Sequence, residues 1–155
     1  MQLIIDFIHN QILVASITGW FVAQVLKTLI HMIVTKEFNF ERLVGGGGMP
    51  SSHSATVCAL STATAMQFGT GSYEFAMAAV FSIIVMYDAM GVRLETGKQG
   101  KVLNDILEVF VKMGKEVDPE TRLKEFVGHT PLQVLMGAIL GVIIALTVCN
   151  LNFFA

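Results

Sequence analysis

Apolar positions along this chain gather into four long stretches, separated by loops that hold nearly all of its charge. A helix that crosses a bilayer needs about 20 mostly apolar residues. The first stretch, Gln11–Thr35, meets that length, although Lys27 and His31 interrupt its second half. The second, Ser52–Phe68, is short and rich in Ala, Ser and Thr, which suits a helix enclosed by others rather than one facing lipid. The third runs from Tyr73 to about Val92 and is apolar until Asp88; the fourth runs from Pro131 to about Asn150. In the fourth, Gly137 and Gly141 form a small-xxx-small pair that permits close helix contact.

A different pattern lies between the third and fourth stretches. Val102, Leu103, Ile106, Val109 and Phe110 recur at helical spacing among charged residues. That predicts an amphipathic helix lying at the membrane face or on the other helices. Asp118 to Thr121, "DPET", then marks a turn before a last short polar helix.

Composition agrees with a membrane location. Of the 155 residues, 54% are apolar and 14% charged, and the mean hydropathy is +0.66; soluble domains carry about 25% charged residues. The expectation is an all-α, polytopic bundle of about four transmembrane helices plus the amphipathic helix, forming one domain over residues 1–155. A net charge of -2 gives no footing for nucleic acid as a partner. Cys58 and Cys149 sit in apolar runs without metal spacing, so they read as buried, inert thiols. The N-terminal "MQLIIDFIHN" has no Lys or Arg, unlike a cleaved signal peptide, so the first stretch is expected to remain. His9 within it reads as an interfacial residue.

Charge sets the expected topology. Lys36 and Arg42 fall in the first loop, no basic residue in the second, and seven between Arg93 and Lys124 in the third. The positive-inside rule then makes the first and third loops cytoplasmic and both termini non-cytoplasmic. Three polar constellations, distant in sequence, are thereby expected at one membrane face.

The first constellation is "GGGGMPSSHSA", Gly45 to Ala55. A serine there can cap the following helix, and the glycines let backbone N–H groups approach an anion at its N-terminus. Taken alone, it reads equally well as a plain capped helix start. The second is "LKEFVGHTPLQV", Leu123 to Val134. Thr130, Pro131 and Gln133 make a capping box, and His129 stands just before the helix. The third is "YDAMGVRLETGKQ", where Asp88 lies near the end of a membrane helix. An ionisable group there is a functional candidate, with Arg93 its natural partner or an anion ligand; equally, Arg93 could snorkel to the headgroups while paired with Asp88. Lys27, one turn from His31, either snorkels or points inward to a phosphate.

Two histidines in separate loops, cations from several segments and a Gly-Ser cradle suit phosphoryl transfer. Charge spread over the phosphoryl oxygens must be met by cations and N–H donors. One histidine can attack phosphorus and another can protonate the leaving group, then activate water.

Three ordered motifs, "GGMPSSHSA", "DAMGVRLETGKQ" and "LKEFVGHTPLQV", together with "AQVLK", resemble the divergent branch of the type 2 phosphatidic acid phosphatase family over nearly the whole chain. The family is related to acid phosphatases and vanadium-dependent haloperoxidases. The resemblance implies a lipid-phosphate phosphatase working through a phosphohistidine, with neither metal nor cofactor. It implies His129 as nucleophile, His53 as general acid, and Gln133 where the superfamily has an aspartate. Ser51, Ser52, Lys27, Arg93 and Lys124 are the implied phosphate ligands. The departures are specific. The superfamily's Arg-Pro has no match, Ser52 replaces its glycine, and its Ser-Arg is absent, leaving Arg93, Arg122 or Lys124 for that charge. Gln133 stands where this branch usually has glutamate.

The expected partners are a lipid phosphate and membrane lipids, and a bundle of four spans is thin enough for a homodimer to complete. Two other readings compete. A non-catalytic membrane protein could keep the cradle to bind headgroups or a partner, and a small transporter subunit could line a pathway with Lys27, His31 and Asp88.

Overall fold

The computed structural model describes residues 7, 9–36, 47–118, 121–123 and 127–150. The helices bounded within the described residues are α1 (Gln11–Thr35), α2 (Ser52–Phe68), α3 (Tyr73–Met90), α4 (Val92–Lys112) and α5 (Pro131–Asn150). Among the described residues there is no strand. The chain is an all-helical bundle of the kind expected for a membrane protein, in which every backbone polar group must be satisfied within the structure.

The apolar stretches become helices because their ends carry local stop and start signals. Asn10 caps α1, its side-chain oxygen accepting the Leu13 N–H at 3.1 Å. Lys36 ends it in the left-handed conformation. Ser51 caps α2 and Ser72 caps α3 in the same manner as Asn10. The third apolar stretch ends at Met90 rather than Val92, because Gly91 breaks the helical path. The amphipathic helix correspondingly starts earlier than its apolar pattern indicated, at Val92. The turn at "DPET" is made, with Thr121 N–H donating to the Asp118 carbonyl at 3.0 Å. Of the polar helix expected after it, residues 121–123 are not α-helical, and 124–126 lie outside the described residues.

Among the described residues, three stretches are long and apolar enough to cross a membrane: α1, the α3–α4 pair and α5. Helix α2 is different. Its 17 residues span about 25 Å, short of a bilayer core of about 30 Å. It packs against α1, α3 and α5 and forms the centre of the bundle. Small residues make that possible: Ala55, Ala59 and Ala63 are fully buried. A Cβ on Gly19 would come within 3.0 Å of the Ala55 carbonyl oxygen. A Cβ on Gly137 would collide with the Ser51 carbonyl, and one on Gly141 with that of Ala55. The glycine pair of the fourth stretch is thus spent on bringing α5 against α2.

The outer surface is the inverse, with Phe21, Ile33, Ile83 and Ile143 exposed, as lipid-facing side chains should be. Cys58 and Cys149 are half-buried rather than buried, and both are free thiols. Cys58 reaches the Met86 sulfur at 3.7 Å across the α2–α3 contact.

Candidate functional site

The alternating direction of α1, α2, α3 and α5 brings the three polar constellations to one end of the bundle. Specific bonds hold them there. The Ser51 N–H donates to the Gln133 carbonyl at 3.0 Å, joining the start of α2 to the first turn of α5. The His129 N–H donates to the Ala89 carbonyl at 2.9 Å; that carbonyl, in the last turn of α3, has no intrahelical partner. Gly128 makes the approach possible. Its φ is +87°, and a Cβ there would collide with the backbone of Arg93 and Leu94. Farther out, Asn104 of α4 brackets Leu123, donating to its carbonyl and accepting from its N–H, both at 2.9 Å.

His129 is 1% exposed, and Gln133 fixes its ring. The Gln133 side-chain oxygen accepts the Thr130 N–H at 3.1 Å and lies 3.3 Å from His129 Nδ1. The Gln133 N–H faces the Thr130 hydroxyl at 3.5 Å, so the capping box is present as expected. Because the backbone N–H of Thr130 requires an oxygen, the amide orientation is set and His129 must donate from Nδ1. Its Nε2 then carries the lone pair, buried and without a side-chain or backbone hydrogen bond of good geometry among the described residues. Gln133 therefore fills both roles that the sequence left open: cap and ring-holder.

His53 stands in the first turn of α2, its ring centroid 5.8 Å from that of His129 and inclined at 65°. Its Nδ1 is likewise buried and unpartnered. Burial pushes the His129 imidazole below its ordinary value near 6.5. The Gln133 hydrogen bond opposes this, His53 lowers it further, a backbone contact with Gly48 opposes and Lys27 lowers. Burial thus favours the uncharged ring.

Lys27 points inward and is 2% exposed. Gly48, with φ +105°, lies over its stem: a Cβ there would come within 2.9 Å of Lys27 Cγ and Cδ. His31 instead meets its own helix, 3.3 Å from the Thr35 hydroxyl. Ser51 and Ser52 are both buried. The Ser51 oxygen accepts from the Ser54 N–H at 3.3 Å and from the Ser54 hydroxyl at 3.0 Å. Arg93 is paired with Asp88, Nε donating to the carboxylate, and both side chains remain partly exposed. The charges of Arg93, Lys27 and Asp88 all reach His53. Lys124 lies outside the described residues.

Two features had no single-residue signal. Gly48 is one of four identical glycines in the sequence, and only its place over Lys27 distinguishes it. The other is a cavity of about 490 Å³ beside His53, bounded by Asp88 and Arg93 at one end and by apolar side chains of α1, α2 and α3 elsewhere.

The family described as "Divergent PAP2 family" matches residues 8–144. The chain is also similar to the "Uncharacterized membrane protein YuiD" of Bacillus subtilis (strain 168), with 37% identity over 150 residues, covering 91% of this chain and 95% of that protein. No solved structure matches. The match takes in all three constellations, the helices α1 to α3 and α5 as far as Ile144, and the chain belongs to the divergent PAP2 family.

Proposed function

We propose that this protein is a lipid-phosphate phosphatase whose chemistry proceeds through a phosphohistidine at His129. The observation that carries the reading is a pair of buried imidazole nitrogens on neighbouring rings, His53 Nδ1 and His129 Nε2, that have no hydrogen-bond partner among the described residues. A buried polar atom without a partner is costly, and in a site it is the atom kept for a ligand.

In the first step the His129 Nε2 lone pair attacks phosphorus and forms an N–P bond. The P–O bond to the lipid breaks, and protonated His53 gives its proton to the departing alkoxide. In the second step neutral His53 takes a proton from water, whose oxygen attacks phosphorus. The N–P bond breaks, phosphate leaves, and His129 is restored. Gln133 keeps Nδ1 protonated throughout. Lys27, the Ser51–Ser52 backbone at the α2 N-terminus and Arg93 would meet the phosphoryl oxygens, with Arg93 passing from Asp88 to the phosphate. The basic residues of the first and third loops favour a cytoplasmic site and non-cytoplasmic termini.

Phosphate release from a panel of lipid monophosphates and diphosphates by the detergent-purified protein tests this. His129→Ala should abolish release and His53→Ala should lower it by about 10²–10⁴. Gln133→Glu keeps the acceptor and adds a charge opposite the imidazolium, so it should raise turnover. Wild-type release no greater than that of the double-histidine variant, on every substrate, would refute the reading.

A further inference from the structure

The cavity beside His53 has two unlike ends. Asp88 and Arg93 form its polar rim, next to the imidazole, whereas Trp20, Val57, Phe81 and Ile84 line the rest. Its depth follows from helix geometry. Phe81 precedes Asp88 by two helical turns on α3, and Trp20 precedes Lys27 by the same interval on α1, about 10 Å in each case. Thr56 and Val57 lie one turn beyond His53 on α2 and form the floor. The slot therefore runs from the site into the apolar zone of the bundle, between α1 and α3.

It also opens sideways. Trp20, Phe81 and Ile84 line the cavity yet are 46%, 52% and 60% exposed on the bundle's outer surface. A molecule dissolved in the bilayer could enter there without passing through water. A small phosphate ester would use only the rim; the volume, about 490 Å³, is that of a pocket for a much larger ligand.

We infer that this slot is a chain-binding subsite, which takes the hydrocarbon chain of the substrate laterally from the bilayer while the phosphate lies at His53 and His129. The inference rests on the lipid-phosphatase reading and adds to it the residues that set chain preference: Trp20, Thr56, Val57, Phe81 and Ile84. The occupant is an amphiphile with a phosphate head, because the rim is built of ionic groups and continues into the histidine site. A neutral lipid would leave Arg93 in its pair with Asp88 and bring no ligand to the histidine site.

The chain's only tryptophan is Trp20, so occupancy can be read without turnover. His129→Ala protein in detergent would be titrated with a brominated-chain alkyl phosphate, and separately with the alcohol bearing the same brominated chain. The phosphate should quench Trp20 fluorescence saturably and at lower concentration than the alcohol. Thr56→Phe, which fills the floor, should raise the half-quenching concentration by about tenfold, the burial of two methylenes. Ile84→Phe narrows the mouth from an exposed position and should act in the same direction should Thr56→Phe fail to fold. Equal quenching by phosphate and alcohol, or no shift in either folded variant, overturns the subsite. Head-dependent quenching with no phosphate release from any wild-type substrate would sustain the subsite and sink only the phosphatase reading.

Discussion

Lys27 and Lys112 sit on helices of the same apolar chain, yet their surroundings are opposite. Lys27 is 2% exposed, enclosed by the Gly48 backbone and acting on both histidines. The Lys112 side chain is 71% exposed and pairs with Glu108 one turn earlier on the same helix. Removing a cation from water costs several kcal/mol, whereas an exposed lysine keeps its hydration. In a membrane protein a lysine near a helix end has the cheap option of reaching the interface. Lys27 forgoes it. The difference teaches that charge alone does not nominate a phosphate ligand; a cation held inward beside buried, unpartnered nitrogens does.

The sharpest way to break this comparison is Lys27→Met, which keeps the volume of the stem and removes the charge. If Lys27 meets the phosphoryl oxygens, phosphate release should fall by about 10²–10³, the scale for losing one preorganised stabilising group. The variant should still fold in detergent, because its apolar side chain suits a buried position. A folded Lys27→Met protein with wild-type turnover would put the lysine outside the chemistry and leave Arg93 to carry the charge.

The same contrast marks what the sequence could convey. Helix limits at Gln11, Ser52 and Pro131 were legible because caps and apolar runs are local signals. So was a close helix contact at Gly137 and Gly141, although the pair does not say that its partner is α2. The capping box told of Gln133 as a cap, but its second bond, to His129, depends on how a loop residue is folded back by its tie to Ala89. Whether Lys27 turns inward is a question of helix rotation, which the broad apolar surround of α1 does not specify. The chain-binding slot draws its walls from three helices, and none of its residues is unusual in its own stretch.

Gly48 offers a gentler perturbation of Lys27. Gly48→Ala places a Cβ 2.9 Å from the lysine stem at a backbone φ of +105°. The backbone conformation costs about 1–2 kcal/mol for a residue other than glycine, which should appear as a lower melting temperature. The displaced lysine should lower phosphate release by about tenfold, less than Lys27→Met. Gly69→Ala shares the positive φ but has open space around it. It should cost comparable stability and leave activity unchanged, separating backbone strain from the position of the lysine.

Acidification probes the same enclosure through His129. Its folded-state value lies below the ordinary 6.5 because the ring is buried. The unfolded chain then binds more protons between the two values, so the contribution to stability is present above 6.5 and is lost as pH falls through the folded value. Melting measured from about pH 7.5 down to pH 5 should show a decline below about 6.5 that His129→Ala reduces. An identical decline in the variant would assign the effect to other groups.

The smallest effect is expected at the opposite pole of the comparison. Lys112 lies 2.9 Å from Glu108 with both side chains largely in solvent. Exposed ion pairs gain little, because water screens the attraction and ordering two long side chains costs entropy. Lys112→Ala should leave the melting temperature within measurement error, and phosphate release with it. Lys98, paired to Glu95 at 2.7 Å on the same helix, should behave alike. A marked loss of release from either variant, assayed in detergent where no anionic bilayer attracts α4, would mean that the exposed cations of α4 reach the substrate. The site would then extend beyond the buried end of the bundle, and burial would no longer be the property that separates Lys27 from the other lysines.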